Sequence, residues 1–486
     1  MDLIGFAMVV GNGCHYRSCT VSVEKNSASD FEKQYNHRPR RYLRYSLFTI
    51  HFSGDHPYIS EEKEVFPLKF SVLIRKGLVL LALLTLIYTL LMLAVTAIPN
   101  SMIQRNHDIS MKVLEEEGSY PRYFFKSDAS RLDNFTDVRM LDAAVTPEDH
   151  TLTYNSMFLL GRVQYWQGYL VFLKPLLFFF HLRQIRYLLY VAYFLLFSLV
   201  LTELTKRTST DVVLAFAAAM VATNVLFTSV SLQFFSVYAV LYLSLWFYLR
   251  RKDRAFCTPV SLLLFFEAVG SVVCFLDFLT APLLTLGIPL CVVLLTYPFR
   301  GEKPWLEKLS VMIGTSACWG VGYAMTFLLK WTVASILMGR NMYIVAFNQL
   351  FLRMNGTEEL VPDRAEMLQS NVRLILGFRL FSATELTLAV ICLAVLYGAA
   401  YLIRRRTVPA QPGAGKWDWS LAGCIALVGL YPYAWYIVFA NHSEIHYWFT
   451  YRAQGITVFA VAYLLLSALR RANRGTPAFS GTSGTV

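Results

Sequence analysis

A chain of 486 residues that is 56% hydrophobic, 15% aromatic and only 16% charged is more apolar than soluble domains tolerate, which excludes a soluble enzyme and leaves a polytopic membrane protein. The formal net charge of +12 sits in short basic runs at the ends of apolar segments, where membrane orientation places cations, so it gives no support to nucleic-acid binding. Of the 8 cysteines, Cys257, Cys274, Cys291, Cys318, Cys392 and Cys424 lie in or beside apolar segments as small hydrophobes, and Cys14 and Cys19 make only a lone CxxxxC; neither metal nor disulfide spacing is present.

Residues 1 to 74 read as a cytoplasmic N-terminal segment with a basic stretch, "RPRRYLR", at 38 to 44. The apolar run at 3 to 10 lacks a basic start and a cleavage site, so no signal peptide is expected. A membrane helix needs about 20 apolar residues. The polytopic domain at 75 to 470 offers such stretches at 77 to 98, 186 to 204, 212 to 229, 232 to 249 and 258 to 275. Further ones follow at 281 to 298, 308 to 330, 381 to 403, 419 to 440 and 453 to 470, and 471 to 486 form a flexible tail. The expected fold class is all-α integral membrane, with about ten transmembrane helices.

Lys and Arg set the orientation. Arg75 and Lys76 precede the first span, and Lys206 and Arg207, Arg250 to Arg254, Arg300 and Lys303, Arg404 to Arg406, and Arg470 to Arg474 follow alternate later ones. All fall on one side, which puts both termini in the cytoplasm. The long loop at 99 to 185, the loop at 336 to 375 and the stretch near 441 to 452 then lie outside, where any chemistry is expected.

In the first outer loop, "NSMIQRNHDISMKVLEEEG" sets Met102, Ile103, Ile109, Val113 and Leu114 on one stripe opposite Arg105, Asp108, Lys112 and Glu116, as in a helix lying in the interface plane. "RLDNFTDVRMLDAA" then places Asp133 and Asp137 at i and i+4. Mutual repulsion would keep one proton bound or invite a cation; equally, Asp133 reads as an N-cap and Asp137 as a first-turn dipole partner. "RVQYWQGYLVFLKPLLFFFHLRQIRYLL" is apolar and aromatic but interrupted by Arg162, Gly168, Lys174, Pro175, His181, Arg183 and Arg186. It reads as a stretch that dips into the outer interface and returns, either an aromatic belt with snorkelling cations or a groove with cationic ends suited to a lipid phosphate.

Asp277, in "FLDFLT", falls at the outer end of the fifth span, as a helix-end cap or as a functional acid. "ANHSEIHYWFTYR", 440 to 452, packs His442, Glu444, His446 and Arg452 among aromatic rings between two apolar stretches. His442 and His446 stand at i and i+4, but the run is not HExxH and has no third ligand, so no metal is expected. Tyr447, Trp448, Phe449 and Tyr451 suit an interfacial anchor. Sequons at Asn134, Asn355 and Asn441 all fall on the outer side.

A first span, a long outer loop with interfacial helices and acids, and a Pro-containing apolar stretch ending in "RQIRYLL" resemble the opening of the C-type (GT-C fold) membrane glycosyltransferases. Together with "FLDFLTAPLLTLGIPL" and "NHSEIHYWFTYR", the layout over roughly 75 to 470 also resembles bacterial polytopic membrane proteins near that superfamily. The resemblance implies transfer of a sugar from a polyprenyl-phosphate-linked donor, in contact with membrane lipids and with no cofactor, in a multi-pass cell-membrane protein. It favours a bacterial inner membrane, with the endoplasmic reticulum the alternative. It implies a first-loop carboxylate as base and outer-face cations on the lipid phosphate, although no adjacent acidic pair directly follows span one.

Glycosyl transfer requires a base for the acceptor hydroxyl and cations for the departing phosphate. Asp133 or Asp137 fits the base role, with Asp108 and Glu116 next. Arg162, Lys174, Asp277, His442, Glu444, His446 and Arg452 are the substrate-binding candidates. A saccharide transporter or flippase would show internal repeats and broken helices with midplane polar residues; no clear repeat is present, and the large outer loop follows the first span. A polysaccharide polymerase or ligase would carry its largest outer loop late in the chain, and the medium loop at 336 to 375 keeps that alternative open.

Overall fold

The computed structural model describes residues 70–123, 127–256, 258–299, 301–357, 361–377 and 417–472, with single positions between 384 and 398. Residues 1 to 69 of the expected segment at 1 to 74, residues 473 to 486 of the expected tail at 471 to 486, and nearly all of the expected span at 381 to 403 lie outside the described residues. The described residues hold helices and no strand.

The first helix, α1 (Phe70–Thr96), turns Leu78, Val79, Leu83, Leu86 and Leu90 outward and buries Leu73, Leu81, Tyr88 and Met92. That division suits a helix with lipid on one side and protein on the other. The loop after it folds into α2 (Gln104–Glu117), stopped by Gly118 at φ 78°, α3 (Asn134–Asp142) and α4 (Leu152–Met157). Next come α5 (Leu170–Phe179), with Pro175 inside it, and α6 (Leu182–Arg207). The chain then runs through α7 (Thr210–Ala222), α8 (Val225–Thr228), α9 (Leu232–Ala255), α10 (Pro259–Leu276) and α11 (Leu284–Thr296). The 35-residue α12 (Pro304–Met338) ends at Gly339, whose φ of 64° only glycine adopts freely. Two short helices, α13 (Tyr343–Asn355) and α14 (Arg364–Leu376), follow it. The last described part contains α15 (Trp419–Gly429), α16 (Tyr431–Val438), α17 (Ala440–Ile445), α18 (Tyr447–Thr450) and α19 (Gly455–Ala472).

Among the described residues 7 helical stretches are long and apolar enough to cross a membrane: α1, α6, α9, α10, α12, α15 with α16, and α18 with α19. The chain is an all-α, multi-pass membrane protein. Two of the ten expected stretches form shorter helices than a span requires. The stretch at 212 to 229 breaks at Asn224, in the left-handed region at φ 55°, leaving α7 with 13 residues. The stretch at 281 to 298 gives α11, also of 13 residues. Thirteen residues reach roughly 20 Å, short of a hydrocarbon core of about 30 Å. Every residue of α11 from Leu284 to Leu294 is buried. Its uniform apolarity therefore reflects protein on all sides, a pattern that hydropathy reads as lipid.

The tightest crossing is α10 on α12. A β-carbon on Gly270 would stand 2.1 Å from the Trp319 carbonyl oxygen, and one on Gly322 would stand 2.0 Å from that of Glu267. Small residues thus let the two backbones touch, the usual device where lipid offers no hydrophobic drive for association. Ion pairs gather the basic runs at one end of the bundle: Arg207 with Glu203 at 2.7 Å, Arg250 with Glu203 at 3.4 Å and Arg470 with Asp211 at 2.5 Å. Lys308 and Asp418 pair there too. The opposite end carries α2 to α4, α13, α14, α17 and α18.

Candidate functional site

At that opposite end the last part of the chain closes over the first loop. The Tyr447 hydroxyl donates to Asp128 Oδ2 at 2.7 Å, and that of Tyr451 to the Ala129 carbonyl at 3.1 Å. The Arg131 guanidinium is sandwiched between Tyr120 at 4.1 Å and Trp448 at 3.9 Å. Asn371 of α14 ties in the second loop, donating to the Ser443 carbonyl at 2.8 Å and accepting from Thr450 Oγ1 at 2.8 Å.

The first-loop carboxylates expected as bases are engaged in holding helices. Asp133 caps α3, accepting from the Thr136 amide at 3.1 Å and the Thr136 hydroxyl at 2.9 Å. Asp137 is fully buried and accepts the Leu232 amide at 3.4 Å and the Gln233 amide at 3.2 Å, the first N–H groups of α9, with Arg186 at 3.7 Å. A carboxylate there complements the positive end of α9. Burial nevertheless pushes its pKa up to about 7, against the opposing pull of Arg186. Asp108 is exposed on α2, where His107 and Gln104 lower its pKa, and Glu116 pairs with Arg183 at 3.0 Å.

The cations divide in the same way. Arg452 is fully buried over the Phe234 ring at 4.2 Å and donates to the carbonyls of Thr223 at 3.2 Å, Trp448 at 3.0 Å and Ala129 at 3.4 Å. Lys174 is buried in α5, its Nζ without a hydrogen-bond partner among the described residues. Glu444 turns toward Asp363 and Glu366 at the start of α14.

Arg162, Asp277, His442 and His446, by contrast, gather around one cleft. It encloses about 270 Å³ between α12, α13 and the chain at 164 to 165, and Tyr165, Tyr323, Phe327, Trp331 and Phe347 make its walls apolar. Arg353, in the last turn of α13, also lines it. Arg353 reaches the Tyr165 hydroxyl and lies 3.5 Å from His446 Nε2, with Arg162 close beside Tyr165. Burial, then the nearby Arg353 and Arg131, push the His446 pKa down to about 3. Burial, His446 and Arg353 hold His442 well below its usual value. Both rings are therefore neutral at ordinary pH, and the permanent charge at the mouth belongs to arginine.

His442 Nε2 donates to the carbonyl of Leu279 at 3.0 Å. Leu279 lines the cleft with a φ of 65°, a strained conformation for a side chain of that size. Two residues before it, the buried Asp277 accepts the Thr280 amide on Oδ2 at 2.9 Å, while Oδ1 has no hydrogen-bond partner among the described residues. The Tyr323 hydroxyl and the Nδ1 atoms of both histidines also have no such partner. Burial pushes the Asp277 pKa up to about 6, opposed by Thr280 and the amides of Phe278 and Leu279. Among the described residues no three His, Cys, Asp or Glu side chains are placed to share a metal ion.

Arg353, Tyr165 and Tyr323 escaped sequence reasoning. Arg353 ends "AFNQLFLR", whose apolar face was the available signal; nothing local marks either tyrosine. Compared with protein-family models, curated proteins and solved structures, the chain matches none.

Proposed function

We propose that the chain is a membrane glycosyltransferase that moves a sugar from a polyprenyl-phosphate donor to an acceptor on the outer face of a membrane. The observation that carries this reading is an apolar cleft lined, among the described residues, by one cation, Arg353, with Arg162 nearby beside the cleft-lining Tyr165. An isoprenoid tail suits aromatic walls, and a phosphate suits a planar guanidinium that offers two parallel donors. Neutral His446, whose Nε2 accepts from Arg353, keeps an Nδ1–H to donate without adding charge, whereas neutral His442 commits its one N–H to Leu279.

In this reading Arg353 and Arg162 stabilise the charge that gathers on the departing phosphate. The carboxylate placed to take the acceptor proton is Asp277, beside the cleft-lining Leu279, Tyr165 and Tyr323. Asp133 and Asp137 hold the first outer loop in shape, Asp133 by capping α3 and Asp137 by joining α3 to the start of α9. The architecture that accompanies the reading is GT-C-like. It counts ten crossings: the seven long stretches, the expected segment at 381 to 403, and two passages carried by the short helices α7 and α11, of which α11 runs inside the protein rather than against lipid. The basic end then faces the cytoplasm of a bacterial inner membrane.

The test uses purified protein in nanodiscs, with binding of polyprenyl phosphate and of the uncharged polyprenol measured alongside transfer from polyprenyl-phosphate-linked sugars. Phosphate-dependent binding that falls at least tenfold in Arg353→Ala, with polyprenol binding unchanged, supports the reading. Equal affinity for the two lipids in the native protein overturns it. Movement of the intact donor between leaflets with no sugar transferred would identify a flippase instead.

A further inference from the structure

Most of α9 is buried, so the side it turns outward is a narrow stripe. Leu243 and Phe247 are 48% and 42% exposed. Arg250, Arg251 and Arg254 continue the same exposed side at the basic end. An apolar stripe one turn long thus runs directly into three guanidiniums. They share a hollow of about 400 Å³ with Trp246 and Phe247. The Arg250 guanidinium lies 5.5 Å from the Trp246 ring, and Phe247 packs at 5.9 Å on both Phe256 and Phe265 of the neighbouring chain segments. The hollow therefore has a fixed aromatic floor.

Charge there is unbalanced. Among the described residues at the ends of α6 and α9, six cations, Lys206, Arg207, Arg250, Arg251, Lys252 and Arg254, stand beside two carboxylates, Glu203 and Asp253. Glu203 takes Arg207 at 2.7 Å and Arg250 at 3.4 Å, and Asp253 takes Lys252 at 3.3 Å and Arg207 at 3.8 Å. Orientation of the chain in a membrane needs cations at this end but no particular arrangement of them. An aromatic floor with guanidiniums at one rim and an apolar stripe at the other is more than orientation requires.

We infer that this hollow binds one anionic phospholipid, its phosphate held by Arg250, Arg251 and Arg254 and an acyl chain lying along Phe247 and Leu243. Arginine forks fit phosphate oxygens two at a time, and a basic pocket between helices at the membrane surface suits an acidic headgroup. The stripe favours a lipid over free phosphate, which would gain nothing from Leu243 and Phe247. The site lies at the end of the bundle opposite the cleft, so it holds a lipid that is not the proposed donor.

The experiment is native mass spectrometry of the full chain released from nanodiscs of phosphatidylglycerol and phosphatidylcholine, with melting temperature followed in parallel. The native protein should retain one phosphatidylglycerol in preference to phosphatidylcholine. Each guanidinium removed should weaken retention about fivefold, so Arg250→Gln/Arg251→Gln/Arg254→Gln should lose it. Arg340→Gln, near the other end, should retain it. If the triple variant does not fold, Arg251→Glu alone should abolish the preference at unchanged melting temperature. Phe247→Ala should weaken lipid retention and leave binding of inorganic phosphate unchanged. Retention by the folded triple or Arg251→Glu variant equal to the native protein's would overturn the site. So would inorganic phosphate that displaces the lipid at comparable concentration while Phe247→Ala has no effect.

Discussion

The Arg452 guanidinium donates to the Thr223 carbonyl at 3.2 Å, joining the start of the last helix to the end of α7 across more than two hundred residues. Thr223 closes the C-terminal end of α7, where peptide dipoles leave partial negative charge, and Ala129 and Trp448 present their carbonyls to the same guanidinium. Arg452 is thus a clamp between three segments. Arg452→Ala should cost about 3 kcal/mol or more of stability, because it strips a cation from carbonyls that stay buried. Arg452→Lys should fall between, since a point charge cannot span the same carbonyls. Detergent melting curves and donor affinity of the folded fraction check this. Weaker donor binding at unchanged melting temperature would return the residue to the phosphate.

Asp277→Asn should abolish transfer while leaving the fold intact, because an asparagine oxygen still accepts the Thr280 amide but takes up no proton. Loss of a general base slows a reaction by roughly 100-fold to 10,000-fold. With a pKa of about 6, the base is ionised above that value, so the native rate should rise with pH and level off past pH 6 to 7. Burial sets this value, opposed by Thr280 and the amides of Phe278 and Leu279, and the titratable groups facing the carboxylate are Tyr165, Tyr323 and Cys274. His442 bonds to the neighbouring Leu279. Normal turnover by the asparagine variant would make Asp277 a cap only.

Asp137 gives stability its own pH dependence. Its pKa is about 7 in the folded chain and about 4 when unfolded. A raised value means the folded state binds the proton more tightly, so the contribution is complete below about pH 4 and is lost as pH rises through 7. The change amounts to about 4 kcal/mol at most. Melting temperatures from pH 4 to 8 should show a decline in the native protein that Asp137→Asn flattens; parallel curves would show that Arg186 keeps the carboxylate ionised throughout.

Gly322→Ala should disrupt the bundle more than any surface change, since its β-carbon would stand 2.0 Å from the Glu267 carbonyl oxygen, a backbone atom that cannot swing aside. A loss of about 3 kcal/mol or more is expected from forcing α10 and α12 apart. Gly320→Ala, with nothing within 4 Å of its β-carbon, is the control. Folded yield and melting of the two variants compare them directly.

Composition and hydropathy alone determined that the chain is a helical membrane protein, because those properties sum over each segment and need no partner. The ends of helices were legible for the same reason: Asp133 before α3 and Gly118 after α2 act on N–H and C=O groups within one turn. The number of long helices was not, since α11 is apolar through protein burial and α7 stops where Asn224 turns left-handed. Nor was the cleft. Arg353, Tyr165, Asp277 and His446 come from four separate stretches, and nothing in any one of them specifies the others. Only packing decided that Arg452 faces carbonyls while Arg353 faces the cleft, because a guanidinium's role depends on which backbone and which cavity the rest of the chain places beside it.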